Sequence, residues 1–598
     1  MRIRELWIRN YRSIVEVGPL RVTPMLSIVG ANNCGKSNTL SAIKAFLTGG
    51  VGASIEDFKD SSEPIIIKIT FSDLSEAERK RWKKYLVGED LILEKQISAY
   101  PDEERGSFKL ASEYHGYMGE PADPYLSVDR ILQIHGARPD WTKIATERIF
   151  PEYFFVDGKS NKALYSKAVD RYIEENDVQL SAPDLSSTQA LGLQSNVIAS
   201  LPNYYILPAI TDYSSEIDKR QKTSTFRRLM AELSDRILQT DARYAEISQA
   251  LDTLRSLLNA GEGEDRLPRL DSLRSIEDEI SSSLKKVMPS VRSIGLRVEI
   301  DEIKQMFSDG VEISIDDGIS TDVLSKGHGL QRTIVFSLLR TLIDIRRQNP
   351  QAGISDSSII LCIEEPELYI HPQVARLFYD VLREFSETDQ VIYTTHSPNF
   401  VDASNYEEIC VASKTDVASG TLLRHGKGEA FDTLDQRKLF KGFSRFNPHV
   451  NEIFFAKRIL VVEGPEDAMA ITATLSKLGL IVRRPEEIEW SILVAGGKEA
   501  IPFFQRVMNC FSIEYSVLHD IDINIDMPDD AAANHKKTND SIGELAGSNP
   551  CHTFPHKLET SLGLTTHLKD QFQANQFFSD QSHITKEVEE IVRTIFGR

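Results

Sequence analysis

Short apolar runs closed by charged residues or glycines recur along this chain and predict buried strands. Such runs precede Gly30, occupy Ile359 to Ile363 ahead of Glu364, start at Val391, fill Ile459 to Val462, and return in "IEYSVLHD" ahead of Asp520. Between about 215 and 292 the period changes. Leu233, Ile237, Thr240, Tyr244, Ile247, Leu251, Leu254 and Leu258 alternate spacings of four and three, a heptad seam broken once by Thr240. "NAGEGEDRLPRL" is a turn, and Leu270, Leu273, Ile276, Ile280, Leu284 and Val287 line a second helix. Residues 75 to 200 mix short strands with polar loops and a helix around Tyr165 to Glu175 and, like the strand "EPIIIKITF" just before them, suggest no chemistry. The pattern is that of an α/β protein with a helical insertion.

At 598 residues and 41% hydrophobic content, roughly three or four domains of ~150 residues are expected. The expected boundaries are 1–200 and 296–425 for a split nucleotide-binding head, 201–295 for the helical insertion, 426–456 for a helical connection, and 457–598 for a last α/β domain. No run reaches the ~18 apolar residues of a membrane span and the first residues are charged, so no membrane partner and a cytoplasmic location are expected. Five scattered cysteines without a CxxC pair argue against a disulfide framework or a zinc site. A net charge of −20 argues against nonspecific coating of nucleic acid, although a local basic groove or bound cations can still hold phosphates.

"MLSIVGANNCGKSNTLSAIKAFL" places GxxxxGKS at Gly30 to Ser37 between an apolar strand and a helical pattern, the context a P-loop requires. Gly30 and Gly35 let backbone N–H groups turn inward around phosphates, Lys36 adds a point charge, Ser37 can hold Mg²⁺, and Asn33 and Asn38 belong to the same motif. In "IILCIEEPELYIHP", Glu364 would orient the metal's water shell and Glu365 would polarise an attacking water. His396 ends the strand of "VIYTTHSP", and Ser325, Gly327, Gly329 and Gln331 open an amphipathic helix whose N-terminus suits an anion.

In this order the segments resemble the ATPase heads of the ABC superfamily, in the branch of RecF-like and chromosome-maintenance ATPases. "IRNYRSI" matches the opening strand motif, "GANNCGKSN" the Walker A, "LSKGHGLQR" the signature, "IILCIEEPELYIHP" the Walker B and D-loop, and "TTHSP" the switch histidine. The resemblance implies ATP sandwiched between two heads, Ser325 and Gly327 of one copy closing on nucleotide held by Lys36 of another, and hence a homodimer. The signature departs from the strict LSGGQ form. The helical insertion is far too short for a DNA-spanning arm at 1.5 Å per residue and carries no cysteine at its tip, so it is either a dimerisation module or a hairpin packed on its own head.

Glu463, Glu466 and Asp467 crowd the exit of the strand Ile459 to Val462, and Asp520 and Asp522 end another. An i, i+2 spacing in an extended segment points both carboxylates of that pair to one side. Two such exits can converge at one edge of a parallel sheet, where hard divalent cations with oxygen ligands relieve the repulsion; two unrelated acidic loops would give the same sequence. His519 falls on the opposite strand face and reads as structural.

E-G-x-x-D, then "LVAGGK", then D-x-D resembles the Toprim fold of topoisomerases, primases and some nucleases. Glu463 takes its invariant acid position, Asp467 the acid one helical turn on, and Asp520 with Asp522 the DxD pair. In "HKLETSLG", Glu559 matches a further acid of one subset, and Lys586 fits a basic slot about thirty residues on, with Lys569 the fallback. An ABC head followed by such a domain resembles the overcoming-lysogenization-defect (OLD) nuclease family, which includes the nuclease subunit of the Gabija antiphage system. That implies an ATP-regulated endonuclease or nickase acting on double-stranded DNA, with two Mg²⁺ or Mn²⁺ ions near Glu463, Asp467, Asp520, Asp522 and Glu559, a charge-neutralising Lys586, a role in phage defence, and in the Gabija case a helicase-like partner. Glu466 either faces solvent or assists as a base. A DNA-repair ATPase with a non-catalytic Toprim scaffold is the alternative, and a topoisomerase lacks a recognisable nucleophilic tyrosine here.

Overall fold

The computed structural model describes the chain apart from residues 103–106, 118, 120, 149–157, 177, 179–180, 182–196, 199, 210–228, 231–232, 234–242, 260–269, 288–295, 297, 299–312, 349–357, 415, 417, 432, 447, 524–527, 566–567, 569–570 and 598. Ile237, Thr240, Lys569 and most of the turn after Asn259 therefore lie outside the described residues. Two compact units emerge, one of Met1–Tyr204, Ser357–Pro366 and Leu382–Arg598, the other of Tyr205–Asp356 and Glu367–Val381.

Among the described residues the first unit holds three sheets. An antiparallel sheet runs Ile14–Arg21, Arg2–Tyr11, Ile65–Ser72 and Asp90–Asp102, with Ser107–Gly116 also paired to Asp90–Asp102. Alternation along it buries Ile65, Ile67 and Ile69 on one face. In the second sheet Met25–Val29 lies between Gln390–Thr394 and Ile409–Ser413, parallel to both, and Ile359–Glu364 extends it beyond Gln390–Thr394. Every residue of Met25–Val29 and Gln390–Thr394 is buried, as expected of central parallel strands covered on both faces. The third sheet is wholly parallel, in the order Trp490–Val494, Arg458–Val462, Tyr515–Asp520 and Cys551–Phe554.

The second and third sheets share one core. Val29, Tyr406 and Ile409 belong to the same buried cluster as Leu493, Phe504, Met508 and Phe511. Helix Leu434–Phe446 and the short turn Pro448–Phe454 fill the space between them: Phe440 meets Phe504 edge-on at 5.3 Å and Phe454 meets Phe511 at 5.2 Å. The opposite face of the third sheet has its own core of Leu460, Val462, Leu475, Leu518, Phe554 and Val588.

In the second unit, helix His328–Gln348 buries Val335, Leu339 and Leu342, and Phe336 stacks on Phe378 at 3.4 Å. Helices Tyr244–Leu258 and Asp271–Val287 are joined by a backbone bond from Leu270 to Leu257 (3.0 Å). Part of their seam is exposed: Ile247, Leu254, Leu270, Ile276 and Ile280 are all more than 40% exposed, while Leu251, Leu258, Leu273 and Leu284 are half-buried. No described helix is long and apolar enough to cross a membrane. All five cysteines are free.

Candidate nucleotide site and acidic metal centre

The P-loop turns because its glycines allow it. Gly30 sits at φ 143° with a would-be Cβ on the Ala412 carbonyl oxygen, and Gly35 at φ 97° with one on the Thr421 hydroxyl. Asn33 also takes a positive φ, 62°, which asparagine tolerates. Lys36, 6% exposed, starts helix Lys36–Leu47 and donates to the carbonyls of Gly30 (3.0 Å) and Ala31 (2.9 Å), so its ammonium lies across the loop. Ser37 follows at the helix start, half-buried. Asn38 donates to Ser13 Oγ (2.7 Å), and Arg12, paired with Asp57 at 2.6 Å, also reaches Asn38 and lies within electrostatic reach of Glu364.

Glu364 ends its strand, and Glu365 steps into a left-handed turn (φ 45°) whose N–H donates to the Thr394 carbonyl at 2.9 Å. His396 Nε2 stands 3.7 Å from Glu365 Oε1. Burial first, and then the Lys36 charge, push the His396 imidazole below its ordinary pKa, with Glu365 opposing. Lys36, Glu365 and His396 thus share one electrostatic neighbourhood. In the second unit, Ser325 and Gly327 are exposed just before helix His328–Gln348, and the buried Gln331 side chain donates to the carbonyls of Val323 (3.2 Å) and Lys326 (2.9 Å).

The acidic residues assemble at the C-terminal edge of the third sheet, because the two strands that carry them are neighbours in register, Val462 opposite Leu518. Glu463, Asp520 and Asp522 each offer an oxygen within 4.8 Å of the others. Glu463 Oε1 accepts the Asp520 N–H (2.8 Å), Asp520 Oδ1 accepts the Leu558 N–H (3.1 Å), and Asp467 Oδ2 caps helix Pro465–Lys477 through the Gly464 N–H (2.9 Å). Glu559, 8% exposed, accepts the Leu568 N–H at 3.3 Å and repels both Asp467 and Asp520.

Burial and like charge raise these acids. The Asp520 carboxyl is pushed up to about 8 by burial and then by Asp467 and Glu463, and Asp467 up to about 7 by burial and its acidic neighbours. Glu463 also rises, chiefly from burial. An all-oxygen set of this kind fits a hard divalent cation, which would favour the ionised carboxylates.

The pair Asp520 and Asp522 converges for a reason other than strand alternation. The strand ends at Asp520, and Asp522 has φ 58°, so a left-handed turn and not an extended i, i+2 segment brings its carboxylate back. His519 is 3% exposed, with Nδ1 2.9 Å from the Asp520 carbonyl oxygen and within electrostatic reach of Asp522. Glu466 is half-buried on the first turn of helix Pro465–Lys477.

The cations are partly unforeseen. Among the described residues, the ammonium groups paired with the cluster are those of Lys498 and Lys557, each 3.3 Å from a different oxygen of Asp522. Lys586 opens helix Lys586–Phe596 with an exposed side chain. That helix start is tied to the turn carrying Glu559 by Thr585 Oγ1 to the Ser561 carbonyl (2.7 Å) and Ser561 Oγ to Glu587 (2.8 Å). Lys498 stands directly after two glycines at a strand exit and Lys557 two residues before Glu559, so a search for basic residues flanking the acid motifs would have found both.

The model of the AAA ATPase domain matches residues 1–401, and that of the overcoming lysogenization defect protein-like TOPRIM domain matches 454–522. The chain is 23% identical over 541 residues to the Old nuclease of Escherichia phage P2, covering 87% of this chain and 77% of that protein. It is 23% identical over 559 residues to Endonuclease GajA of Bacillus cereus strain VD045, covering 92% and 78%. Among solved structures, an Smc head bound to the C-winged helix domain of ScpA aligns with TM-score 0.34 at 13% identity, over 71% of this chain and 98% of that one. The chain belongs to the AAA ATPase domain family and carries, downstream of that head, an OLD-like TOPRIM domain, making it a homologue of the Old and GajA nucleases.

Proposed function

We propose that this protein is a divalent-metal-dependent DNA endonuclease or nickase whose cutting is coupled to nucleotide at its ATPase head. The observation that carries the reading is the convergence of Glu463, Asp520 and Asp522 within 4.8 Å at one sheet edge, with Asp467 and Glu559 beside them. These acids would hold Mg²⁺ or Mn²⁺, as two ions in our reading, which would activate a water and stabilise the leaving 3′-oxygen. Glu463, fixed by the Asp520 N–H, and Asp522, fixed by two ammoniums, supply oxygens at set positions. Lys586, on a helix start tied to the turn that carries Glu559, would offset charge on the scissile phosphate. At the head, Gly30, Asn33, Gly35, Lys36, Ser37 and Asn38 would bind ATP, with Glu364 on its metal and Glu365 and His396 at the γ-phosphate.

The relatives' names, Old nuclease and Endonuclease GajA, support a nuclease, and we propose phage defence as its setting. The exposed seam of Ile247, Leu254, Leu270, Ile276 and Ile280 supports a homodimer through the helical insertion, with Ser325 and Gly327 completing a partner's nucleotide site. A helicase-like partner protein belongs to the same proposal.

Supercoiled plasmid incubated with Mg²⁺ or Mn²⁺, with nucleotide titrated, tests the reading. Wild type should nick or linearise it, and Glu463→Ala should lose at least about 10³-fold in rate while binding ATP unchanged. Plasmid left intact in both metals, with and without ATP, would favour a repair-type ATPase whose TOPRIM domain is only a scaffold.

A further inference from the structure

Lys498 is placed to do more than lend charge. It follows Gly496 and Gly497, whose N–H groups donate to the Glu463 carbonyl at 3.0 and 2.9 Å, so its backbone is clamped to one acid-bearing strand exit. Its side chain crosses to the other. The Nζ donates to the carbonyls of Asp520 and Ile521 (3.2 Å) and to Asp522 Oδ2 (3.3 Å). An ammonium has three donors, and all three are committed. The side chain is 7% exposed. Asn539 donates to the same Ile521 carbonyl at 2.9 Å, closing the loop from its other side.

Asp522 needs such a hold. Its φ of 58° is a left-handed conformation that aspartate tolerates but that contacts must select over the extended alternative. Lys557, the other cation on Asp522, is different in kind: its side chain is 47% exposed and it meets Asp522 Oδ1 from the outside.

We propose that Lys498 is a positioning residue, locking the strand exit that carries Glu463 to the turn that carries Asp520 and Asp522, so that their carboxylates meet on one divalent cation. The inference rests on the metal-centre reading above and adds a residue to it. It also reverses the expectation from charge alone. Removing a positive charge beside a cation site should tighten cation binding. Removing the lock should loosen it, because Asp522 leaves its turn.

The sign is therefore the test. Mn²⁺ binding to the full chain without DNA is measured by calorimetry or by the free-ion spin-resonance signal. Lys557→Met should bind Mn²⁺ roughly two- to ten-fold more tightly than wild type. Lys498→Met should bind it at least about ten-fold more weakly, and should lose most of that effect in an Asp522→Asn background, because the turn it holds delivers that carboxylate to the ion. Should Lys498→Met fail to fold, Lys498→Gln, which keeps a donor for the carbonyls, is read for the same sign. Tighter Mn²⁺ binding by the Lys498 variant, or an undiminished effect in the Asp522→Asn background, overturns the inference and leaves the nuclease reading standing. Wild type that binds no Mn²⁺ overturns the metal-centre reading itself.

Discussion

Replacing Asp520 by Asn should stabilise the metal-free protein while abolishing its metal response. Burial and the neighbouring acids lift this carboxyl from 3.8 to about 8. At pH 7.5 the folded chain therefore holds a proton that the unfolded chain has released, at a cost of about 1.4 kcal/mol for each pH unit crossed, or about 5 kcal/mol as a ceiling. The acids share this repulsion and the loop can relax, so a net gain of about 1–3 kcal/mol is expected for the isosteric, uncharged side chain. Asn keeps an oxygen for the Leu558 N–H. The sign with pH follows from linkage. Between the unfolded and folded pKa values the folded state binds more protons, so wild-type stability falls as pH rises through that window. The advantage of Asp520→Asn should accordingly be absent near pH 4, grow through pH 6, and be complete by about pH 8. Thermal unfolding in EDTA from pH 4.5 to 9 reads this directly. Adding Mg²⁺ at pH 8 should raise the wild-type melting temperature and leave that of the variant unmoved. A variant less stable than wild type in EDTA at pH 8, or a gap that ignores pH, would refute the reasoning.

Further outcomes follow from other parts of the molecule. Lys36→Ala should weaken binding of a fluorescent ATP analogue at least about ten-fold, since the ammonium lies across the phosphate loop, and should leave the Mg²⁺-induced stabilisation of the TOPRIM domain intact. Gly30→Ala puts a methyl against the Ala412 carbonyl at φ 143°, and should cost about 2 kcal/mol or more in stability together with nucleotide binding. Phe504→Ala should cost about 3–5 kcal/mol, and because its core is common to both sheets, ATP binding and plasmid cutting should be lost together on heating; separate melting of the two activities would contradict a shared core.

Much of the site was legible because its signals are local. An apolar strand followed by Gly30 to Ser37, or by Glu364 and Glu365, states both the buried strand and the polar exit in about a dozen residues. The same holds for Glu463 after Val462 and Asp520 after Leu518. The order of strands in the third sheet, which makes those two exits neighbours, depends on pairing across more than fifty residues and came only through family resemblance. Three things were not legible. The left-handed turn at Asp522 has no glycine to announce it. Lys498 is visible as the basic residue after two glycines, but its contacts with groups more than twenty residues away are encoded by no local pattern. The stretch from Leu434 to Phe454 has the look of a helical connection in sequence, yet Phe440, Val450 and Phe454 are core residues packed between the ATPase sheet and the TOPRIM sheet.

The claim on which the rest depends is that carboxylates from two strand exits and a later turn bind divalent cations at a single place. Crystals of the protein grown with Mn²⁺ and measured at the manganese edge test it most directly. The account predicts anomalous density roughly 2.0–2.3 Å from oxygens of Glu463, Asp520 and Asp522, lost in Glu463→Gln. Manganese bound elsewhere, with these acids left without an ion while the same preparation cuts DNA, would contradict it.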